Sequence, residues 1–330
     1  MVNGKYVDLV VSGPDFSGTS TQIDHDIIPY LKNDKNLVVR DIRGTEFDAL
    51  FHAEKFKDWN KDFSSLEEFR NKVHNSHYEK LAVEMTKMLA GIGYNKLHIG
   101  SMVDSKIDCD KETGKRITEY IDPNSADAWI MEEPTYRGAG QVVRTIELYR
   151  TKFGSNANPY AAAMALQAIR EDEFLRFRGP LRDAGKIIVR SRSEEAGCYQ
   201  IHDKDANPNG IKHADFYGFP GNQKAFENPP TDLFIVCGPK GWDKDEYIKL
   251  KEARTGKRIT DDFENNIPLQ LLINERYAGN FIEDLYKWGC GANDSKPPKI
   301  YRFDIYKTKE VIRKKMQSRL EKILDKRESK

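Results

Sequence analysis

Cysteine is scarce in this sequence and is nowhere paired. The four cysteines are Cys109, Cys198, Cys237 and Cys290, and no two of them form a CxxC pair. Structural zinc sites need cysteine or histidine ligands at short spacings, and a disulfide framework needs a denser cysteine content. The sequence therefore favours neither kind of site, and we expect a protein of a reducing, cytoplasmic compartment.

A long apolar run is also missing, and so is an excess of charge of one sign. No window approaches the roughly 18–20 apolar residues that a membrane span needs, and we expect no signal peptide. The 53 Lys and Arg residues balance 52 Asp and Glu residues. Because this composition supplies no net electrostatic attraction, we expect neither a membrane nor a nucleic acid as partner.

What the sequence does contain is a series of short apolar runs separated by segments of helical periodicity. The runs lie at residues 7–11, 37–39, 128–131, 187–189, 233–236 and 300–303. Strands that alternate with helices indicate an α/β protein with a mainly parallel sheet and helices on both faces. Ligands of such sheets bind at the carboxyl ends of the strands, which is where the first run meets a glycine-containing loop.

This loop reads Gly13-Pro14-Asp15-Phe16-Ser17-Gly18-Thr19-Ser20. Gly13, Gly18 and Ser20 match the GxxxxGK[ST] pattern of a phosphate-binding loop, in which backbone N–H groups surround phosphate oxygens. Ser20 is placed to ligate Mg²⁺. Thr19 stands at the lysine position and brings no positive charge to the phosphates. On its own, the loop is also compatible with a tight turn that binds nothing.

The continuation of the loop, Ser17 to Gln22, resembles the GxDGSGKSTQ loop of the thymidylate kinase family, a branch of the P-loop nucleoside-monophosphate kinases. Only the lysine and one loop glycine, here Phe16, depart from it. The resemblance implies that Asp15 lies near the transferring phosphoryl group. It also implies an ATP-binding loop formed by Gly13, Pro14, Phe16, Ser17, Gly18, Thr19, Ser20 and Thr21, with Mg²⁺ at Ser20.

A second resemblance covers residues 133–144, which are similar to the EPxxxxxGxxIR segment of that family. In the family this segment follows a strand and holds the phosphate of the acceptor nucleotide. The resemblance implies that Glu133, Arg137 and Arg144 bind the acceptor. A guanidinium fork suits a phosphate dianion.

A third resemblance covers residues 165–200. Arg170 takes the place of the family arginine that reads the base, and Leu166 takes the place of its stacking phenylalanine. Tyr199 and Gln200 fit the tyrosine and glutamine of SSxAYQ, which line the nucleoside pocket. All four residues are therefore implied to contact the acceptor nucleotide.

The Asp-Arg-Tyr motif of the family is replaced here by Arg190-Ser191-Arg192. We expect Arg190 and Arg192, at the end of their strand, to supply the catalytic charge that Thr19 lacks; surface arginines are the alternative. Lys257 and Arg258 resemble the lid cations that close on ATP, although a solvated pair is an equally good interpretation.

Together these resemblances imply a P-loop NTPase fold with a five-stranded sheet and an ATP- and Mg²⁺-dependent kinase of dTMP or a related nucleotide. They also imply a homodimer. Two alternatives stay open, because the lysine and the aspartate of the motif are both absent. One is a catalytically impaired nucleotide-binding protein with a partner-binding insertion, and the other is a deoxynucleoside kinase.

We expect a single domain over residues 1–330, with three additions to the family pattern. An insertion covers about residues 35–125 and contains a helix that opens at Ser65. Residues 202–230 are rich in Asn, Pro, Gly and Asp and predict a surface loop. Residues 307–330 predict a basic helix with one packed face, since Val311 or Ile312, Met316, Leu320 and Ile323 recur at helical spacing.

Overall fold

A computed structural model of the chain describes residues 6–44, 121–135, 140, 159–255 and 262–328. The helix expected to open at Ser65, and nearly all of the expected insertion, lie outside these residues. Within the described residues, no helix is long and apolar enough to cross a membrane.

The described strands form one six-stranded sheet in which every pair is parallel. The strands are β1 (Val7–Ser12), β2 (Val39–Asp41), β3 (Ala128–Glu132), β4 (Ile187–Ser191), β5 (Asp232–Cys237) and β6 (Lys299–Asp304), in the order β2-β3-β4-β1-β5-β6. The α/β class is therefore confirmed. The expected count of five strands is wrong, because β2 pairs with β3 and β6 pairs with β5 to form two edge strands.

Helices connect the strands and flank the sheet. They are α1 (Thr19–Gln22), α2 (Pro159–Glu173), α3 (Gly179–Asp183), α4 (His213–Gly218), α5 (Pro220–Glu227), α6 (Lys244–Thr255), α7 (Asp262–Asn265), α8 (Ile267–Ala278), α9 (Phe281–Ala292) and α10 (Lys309–Glu328). Helix α1 continues through two π-helical turns, Ile23–Ile27 and Tyr30–Asp34, so that residues 19–34 are helical throughout.

Residues 202–230, which the sequence predicts to be a loop, contain helices α4 and α5. Pro220 stands in the first turn of α5, where its missing N–H and restricted φ angle are tolerated. Phe216 and Phe226 are buried on these helices and hold the segment against the sheet. The prediction of a loop is therefore wrong for α4 and α5, two short packed helices that are rich in turn-forming residues.

Both faces of the sheet are covered, as the parallel arrangement requires. On one face, Leu9 and Val11 pack in a cluster with apolar residues of helical segment 19–34 and of α10. On the other face, Val10 belongs to a cluster with residues of α8 and α9. Side chains alternate along a strand, so β1 contributes to both cores.

Strand β1 lies inside the sheet with β4 on one side and β5 on the other. After β1 the chain continues to β2 at one edge of the sheet. After β4 it crosses β1 and continues to β5 on the other side of β1. Such a reversal of strand order opens a crevice at the carboxyl ends of the strands. The loop that follows Ser12 lies at this point.

Candidate functional site

The loop after β1 approaches the neighbouring strand too closely for any side chain at Gly13. A Cβ atom at this position would lie 2.0 Å from the Val236 carbonyl oxygen. Gly18, at the N-terminus of α1, has a φ of +90°, which glycine adopts at little cost. Both glycines of the sequence pattern therefore meet a steric or conformational requirement of this loop.

The interior of the loop contains a buried hydroxyl group. Ser17 is 2% exposed, and its Oγ makes no hydrogen bond within the described part of the chain. A Cβ atom on Gly13 would lie 2.6 Å from this oxygen, so the hydroxyl faces the space that the glycine leaves open. An orphaned buried donor beside the start of a helix fits a phosphate group, which accepts hydrogen bonds and is favoured at helix N-termini.

Asp15 is held at the loop by residues from two distant parts of the chain. The Arg192 guanidinium donates to Asp15 Oδ1. The Gln270 side-chain amide donates to Asp15 Oδ2 at 2.6 Å, and its Oε1 accepts from the Asp15 backbone N–H at 3.3 Å. The carboxylate is therefore fixed in position.

Arg192 follows β4 directly and is brought to the loop by the pairing of β4 with β1. Its backbone N–H donates to the Val11 carbonyl at 3.0 Å, and its guanidinium lies 5.0 Å from the centre of the Tyr199 ring. Burial alone would lower the pKa of Arg192, but the interactions with the Tyr199 hydroxyl and the Asp15 carboxylate raise the pKa well above its usual value. The side chain is a permanent cation beside Asp15.

Arg190 lies deeper in the molecule, and its side chain is 3% exposed. Its guanidinium donates to Asp8 Oδ1 at 2.8 Å, to Glu133 Oε2 at 3.3 Å and to Ser193 Oγ at 2.5 Å. These contacts link β1, β3 and β4 below the loop. Arg190 is thus brought together with Glu133, which the resemblance implies binds the acceptor nucleotide. Its nearest carboxylate is that of Asp8 in β1.

Glu133, predicted from the second resemblance, and Arg170, predicted from the third, are in direct contact. Arg170 Nε donates to Glu133 Oε1, and its Nη1 donates to Asn222 and, at 3.3 Å, to Gln167 Oε1. Asn222 is itself fully buried and donates to the Phe216 carbonyl at 2.7 Å. The segment that the sequence predicts to be a loop therefore supplies one partner of Arg170.

A further buried carboxylate, that of Glu195, lies close to Ser12 at the end of β1. Its Oε1 accepts from the Ser193 N–H at 2.9 Å and its Oε2 accepts from the Tyr286 hydroxyl at 3.3 Å. Burial and the neighbouring Glu194 raise the pKa of Glu195 to about 7. No sequence pattern singled this residue out.

The remaining predicted residues lie in different surroundings. Thr19 and Thr21 are half-buried and Ser20 is exposed at the start of α1, where its hydroxyl is open to solvent. Leu166 is half-buried on α2, Tyr199 is 7% exposed, and Gln200 bonds through its backbone to Gly197 and Ile211. Outside the described residues lie Arg137, Arg144, Lys257 and Arg258.

One cation at the loop was not predicted at all. Arg254, near the end of α6, donates from Nη1 to the Phe16 carbonyl. A Cβ atom on Gly18 would lie 3.0 Å from the same nitrogen. The residue belongs to no motif, and only the packing of α6 brings it to the loop.

The described residues contain no group of three or more His, Cys, Asp and Glu side chains that could hold a metal ion. The exposed Ser20 hydroxyl is a suitable oxygen ligand for Mg²⁺, which commonly takes few protein ligands and several others.

No protein-family model matches the sequence, and no curated protein matches it either. Among solved structures, the chain is similar to thymidylate kinase from Ehrlichia chaffeensis, with 10% identity over 96% of this chain and 99% of that chain. The TM-score is 0.40. At this level the likeness supports no assignment of fold family or function.

Proposed function

We propose that this protein is a nucleoside-monophosphate kinase that transfers the γ-phosphoryl group of ATP to dTMP or a related nucleotide. The observation that carries the proposal is the loop at the carboxyl end of β1. Its Gly13 admits no side chain, its Ser17 hydroxyl is buried without a partner among the described residues, and its Asp15 is held in place. The motif resemblances supply the reaction class.

In this proposal the backbone of residues 13–21 surrounds the phosphates of ATP, and the positive end of helical segment 19–34 favours their charge. The Ser17 hydroxyl donates into the loop. Mg²⁺, held by the nucleotide and by Ser20, would neutralise charge that develops on the transferring group. Thr19 contributes a hydroxyl where the pattern has a charge.

Asp15 and Arg192 take the catalytic positions on the acceptor side of the loop. Transfer of a phosphoryl group depends on positioning and on stabilisation of charge at the equatorial oxygens. Arg192 stays charged and lies beside Asp15, so a small shift of its guanidinium would bring it to those oxygens. Arg190, enclosed by carboxylates, acts in this proposal by positioning Glu133.

The acceptor would bind between β3, α2 and the segment that follows β4. Glu133 orients Arg170 toward the base, and Leu166, Tyr199 and Gln200 enclose the nucleoside. Arg137 and Arg144 would hold the acceptor phosphate, and Lys257 and Arg258 would close over ATP. All of these assignments rest on the resemblances, and the Glu133–Arg170 contact supports only the first of them.

A second candidate function is nucleotide binding without transfer. The observation that favours it is Thr19, because loss of the loop lysine removes transition-state stabilisation of several kcal/mol unless another cation substitutes. Phosphate binding by the backbone of the loop would survive this loss.

The experiment that tests the proposal is a coupled ADP-release assay with MgATP and a panel of nucleoside monophosphates, with deoxynucleosides in parallel. We expect turnover with dTMP or a related monophosphate. Turnover with deoxynucleosides alone would identify a deoxynucleoside kinase. Measurable ATP binding without turnover on any acceptor would contradict the kinase proposal and favour the second candidate.

The Gly13→Ala variant tests whether this loop is the site. Its Cβ atom would force the loop away from Val236, and a misplacement of about 1 Å reduces turnover roughly 100-fold. Gly291→Ala is the matched control, because no heavy atom lies within 4 Å of a Cβ atom built on Gly291. Equal activity of the two variants would remove the loop from the active site.

A further inference from the structure

Arg254 places a guanidinium group against the phosphate loop. Its Nη1 donates to the Phe16 carbonyl, and its Cζ would lie 3.8 Å from a Cβ atom on Gly18. Gly18 caps the helical segment whose N-terminus faces the proposed phosphates. The guanidinium group therefore lies close to position 19, about one side-chain length from where the ammonium group of a lysine there would be.

The surroundings of Arg254 differ from those of three arginines near β1 that pair with acids. Arg178 and Arg190 pair with Asp8, and Arg192 pairs with Asp15. Arg254 is an exposed residue with no carboxylate partner within the part of the chain that the structure describes, and partial burial of its guanidinium lowers its pKa from the usual value. A guanidinium remains protonated at neutral pH despite such a shift. Arg254 is thus a cation at the loop whose charge is not compensated by a described acid.

The position of this cation is set by an aromatic contact beneath it. Tyr247 is fully buried on the same helix, and its ring lies 6.1 Å from the ring of Phe16 and 5.5 Å from that of Trp242. The Tyr247 hydroxyl also donates to the Glu264 carbonyl at 3.2 Å. These contacts tie α6 to the loop residue Phe16, which is one of the two departures from the family pattern.

We propose that Arg254 takes over the electrostatic role of the missing loop lysine and binds the β- and γ-phosphates of the nucleotide. This inference rests on the proposed function. A guanidinium carries five N–H donors, so it can bind phosphate oxygens through one edge while another N–H keeps its bond to the Phe16 carbonyl. The departures at positions 16 and 19 are then linked. Phe16 positions Arg254, and Arg254 supplies the charge of the lysine that is absent at position 19.

The experiment measures binding of tripolyphosphate, pyrophosphate and orthophosphate by isothermal titration calorimetry, which avoids the question of the base. The full-length protein is compared with its Arg254→Ala and Arg254→Lys variants. Lys249→Ala is the matched control, since Lys249 is an exposed cation of the same helix. Thermal melts of all four proteins report whether the substitutions disturb folding.

We expect Arg254→Ala to weaken tripolyphosphate binding roughly 10- to 100-fold, the range for a hydrogen bond to a charged group. The loss should be smaller for orthophosphate, and Arg254→Lys should recover part of it. A purely structural contact to Phe16 predicts instead an equal loss for all three anions. That result, or an Arg254→Ala affinity equal to that of Lys249→Ala, would overturn the inference while leaving the proposed function intact.

Absence of tripolyphosphate and ATP binding by the unaltered protein would overturn the proposed function itself, and the role of Arg254 with it. Binding by the unaltered protein separates the two questions. Only the comparison of variants then decides whether Arg254 carries the charge.

Discussion

Asp8 is the second residue of β1, a strand that is buried on both faces, where an unpaired carboxylate would be costly. Arg178 Nε donates to its Oδ2 at 2.7 Å and Arg190 Nε donates to its Oδ1 at 2.8 Å. Burial by itself would raise the pKa of Asp8, but the two guanidinium groups lower it to about 2. The residue is ionised and anchors β1 to β4 and to Phe174–Arg178, the π-helical segment that follows α2.

The Asp8→Asn variant should lose about 3–5 kcal/mol of unfolding free energy at pH 7, because it removes the closest carboxylate of two buried guanidinium groups and leaves only their longer ion pairs with Glu133 and Glu194. Urea denaturation measures this loss. Asp183→Asn, an exposed acid, is the control and should change stability by less than about 0.5 kcal/mol. Similar losses in both variants would show that Asp8 is not an energetic anchor.

The contact between Asp15 and Arg192 separates what the sequence predicts about these residues from what it leaves open. The motif resemblance predicted both residues for the site. Their mutual contact depends on the parallel pairing of Val11 with Ser191, which brings the ends of β1 and β4 together. Gln270, which completes the set of Asp15 partners, belongs to no motif and is supplied by α8.

At the scale of an element, α10 is the segment whose sequence was most informative. The predicted apolar face is confirmed at Ile312, Met316 and Leu320, which are buried, whereas Ile323 is only partly buried and Leu324 takes the next core position. The shift by one residue follows from helical geometry, since 3.6 residues complete a turn. Val311 is 39% exposed, so Ile312 rather than Val311 belongs to the packed face.

The Leu320→Ala variant should reduce the unfolding free energy by about 2–5 kcal/mol, because Leu320 is 1% exposed and its removal leaves a cavity against the sheet. Val311→Ala on the same helix should cost far less. Chemical denaturation of both variants measures the difference. A small loss at Leu320 would mean that α10 is not part of the cooperative core.

Helix α6 illustrates the opposite case at this scale. Its sequence, Lys244 to Thr255, is rich in charged residues and contains none of the motifs that predict the site. Its functional interest comes from Tyr247 and Arg254, which are separated by two turns and contact Phe16 through ring and carbonyl respectively. Neither contact follows from periodicity.

At the scale of the whole molecule, the dependence of stability on pH should reflect the buried acids near the sheet. The folded-state pKa of Glu195 is raised to about 7 from a reference value of 4.5. The folded state then binds the proton more tightly than the unfolded state, so stability is greatest below the unfolded pKa and falls as the pH rises through about 7. Asp8 acts in the opposite direction, but only below about pH 4, where its stabilisation is lost as the pH falls toward 2.

The Glu195→Gln variant should flatten the fall in unfolding free energy between about pH 4.5 and pH 7, since glutamine does not titrate. Denaturation midpoints across this pH range, compared with the unaltered protein, measure the effect. Glu252→Gln, an exposed acid on α6, should leave the slope unchanged. A slope that persists in Glu195→Gln would assign the titration to another group.

The sequence by itself determined the α/β class, the six described strands and the position of the loop, because these depend on apolar runs and on the short-range requirements of turns. Gly13 and Gly18 could be recognised for that reason. The count of five strands came with the family resemblance, although all six apolar runs were visible in the sequence. Helices α4 and α5 escaped prediction, since helices rich in turn-forming residues depend on what they pack against.

Only the tertiary structure decided which charges meet at the loop. Arg192 reaches Asp15 across strand pairing, Gln270 reaches it from α8, and Arg254 reaches Phe16 from α6. These contacts join residues that are more than a hundred positions apart in the sequence, and no local sequence pattern predicts contacts over such separations. The physical reason is that the position of a charge in a site is set by the packing of the element that bears it, whereas the shape of a turn is set by its own backbone.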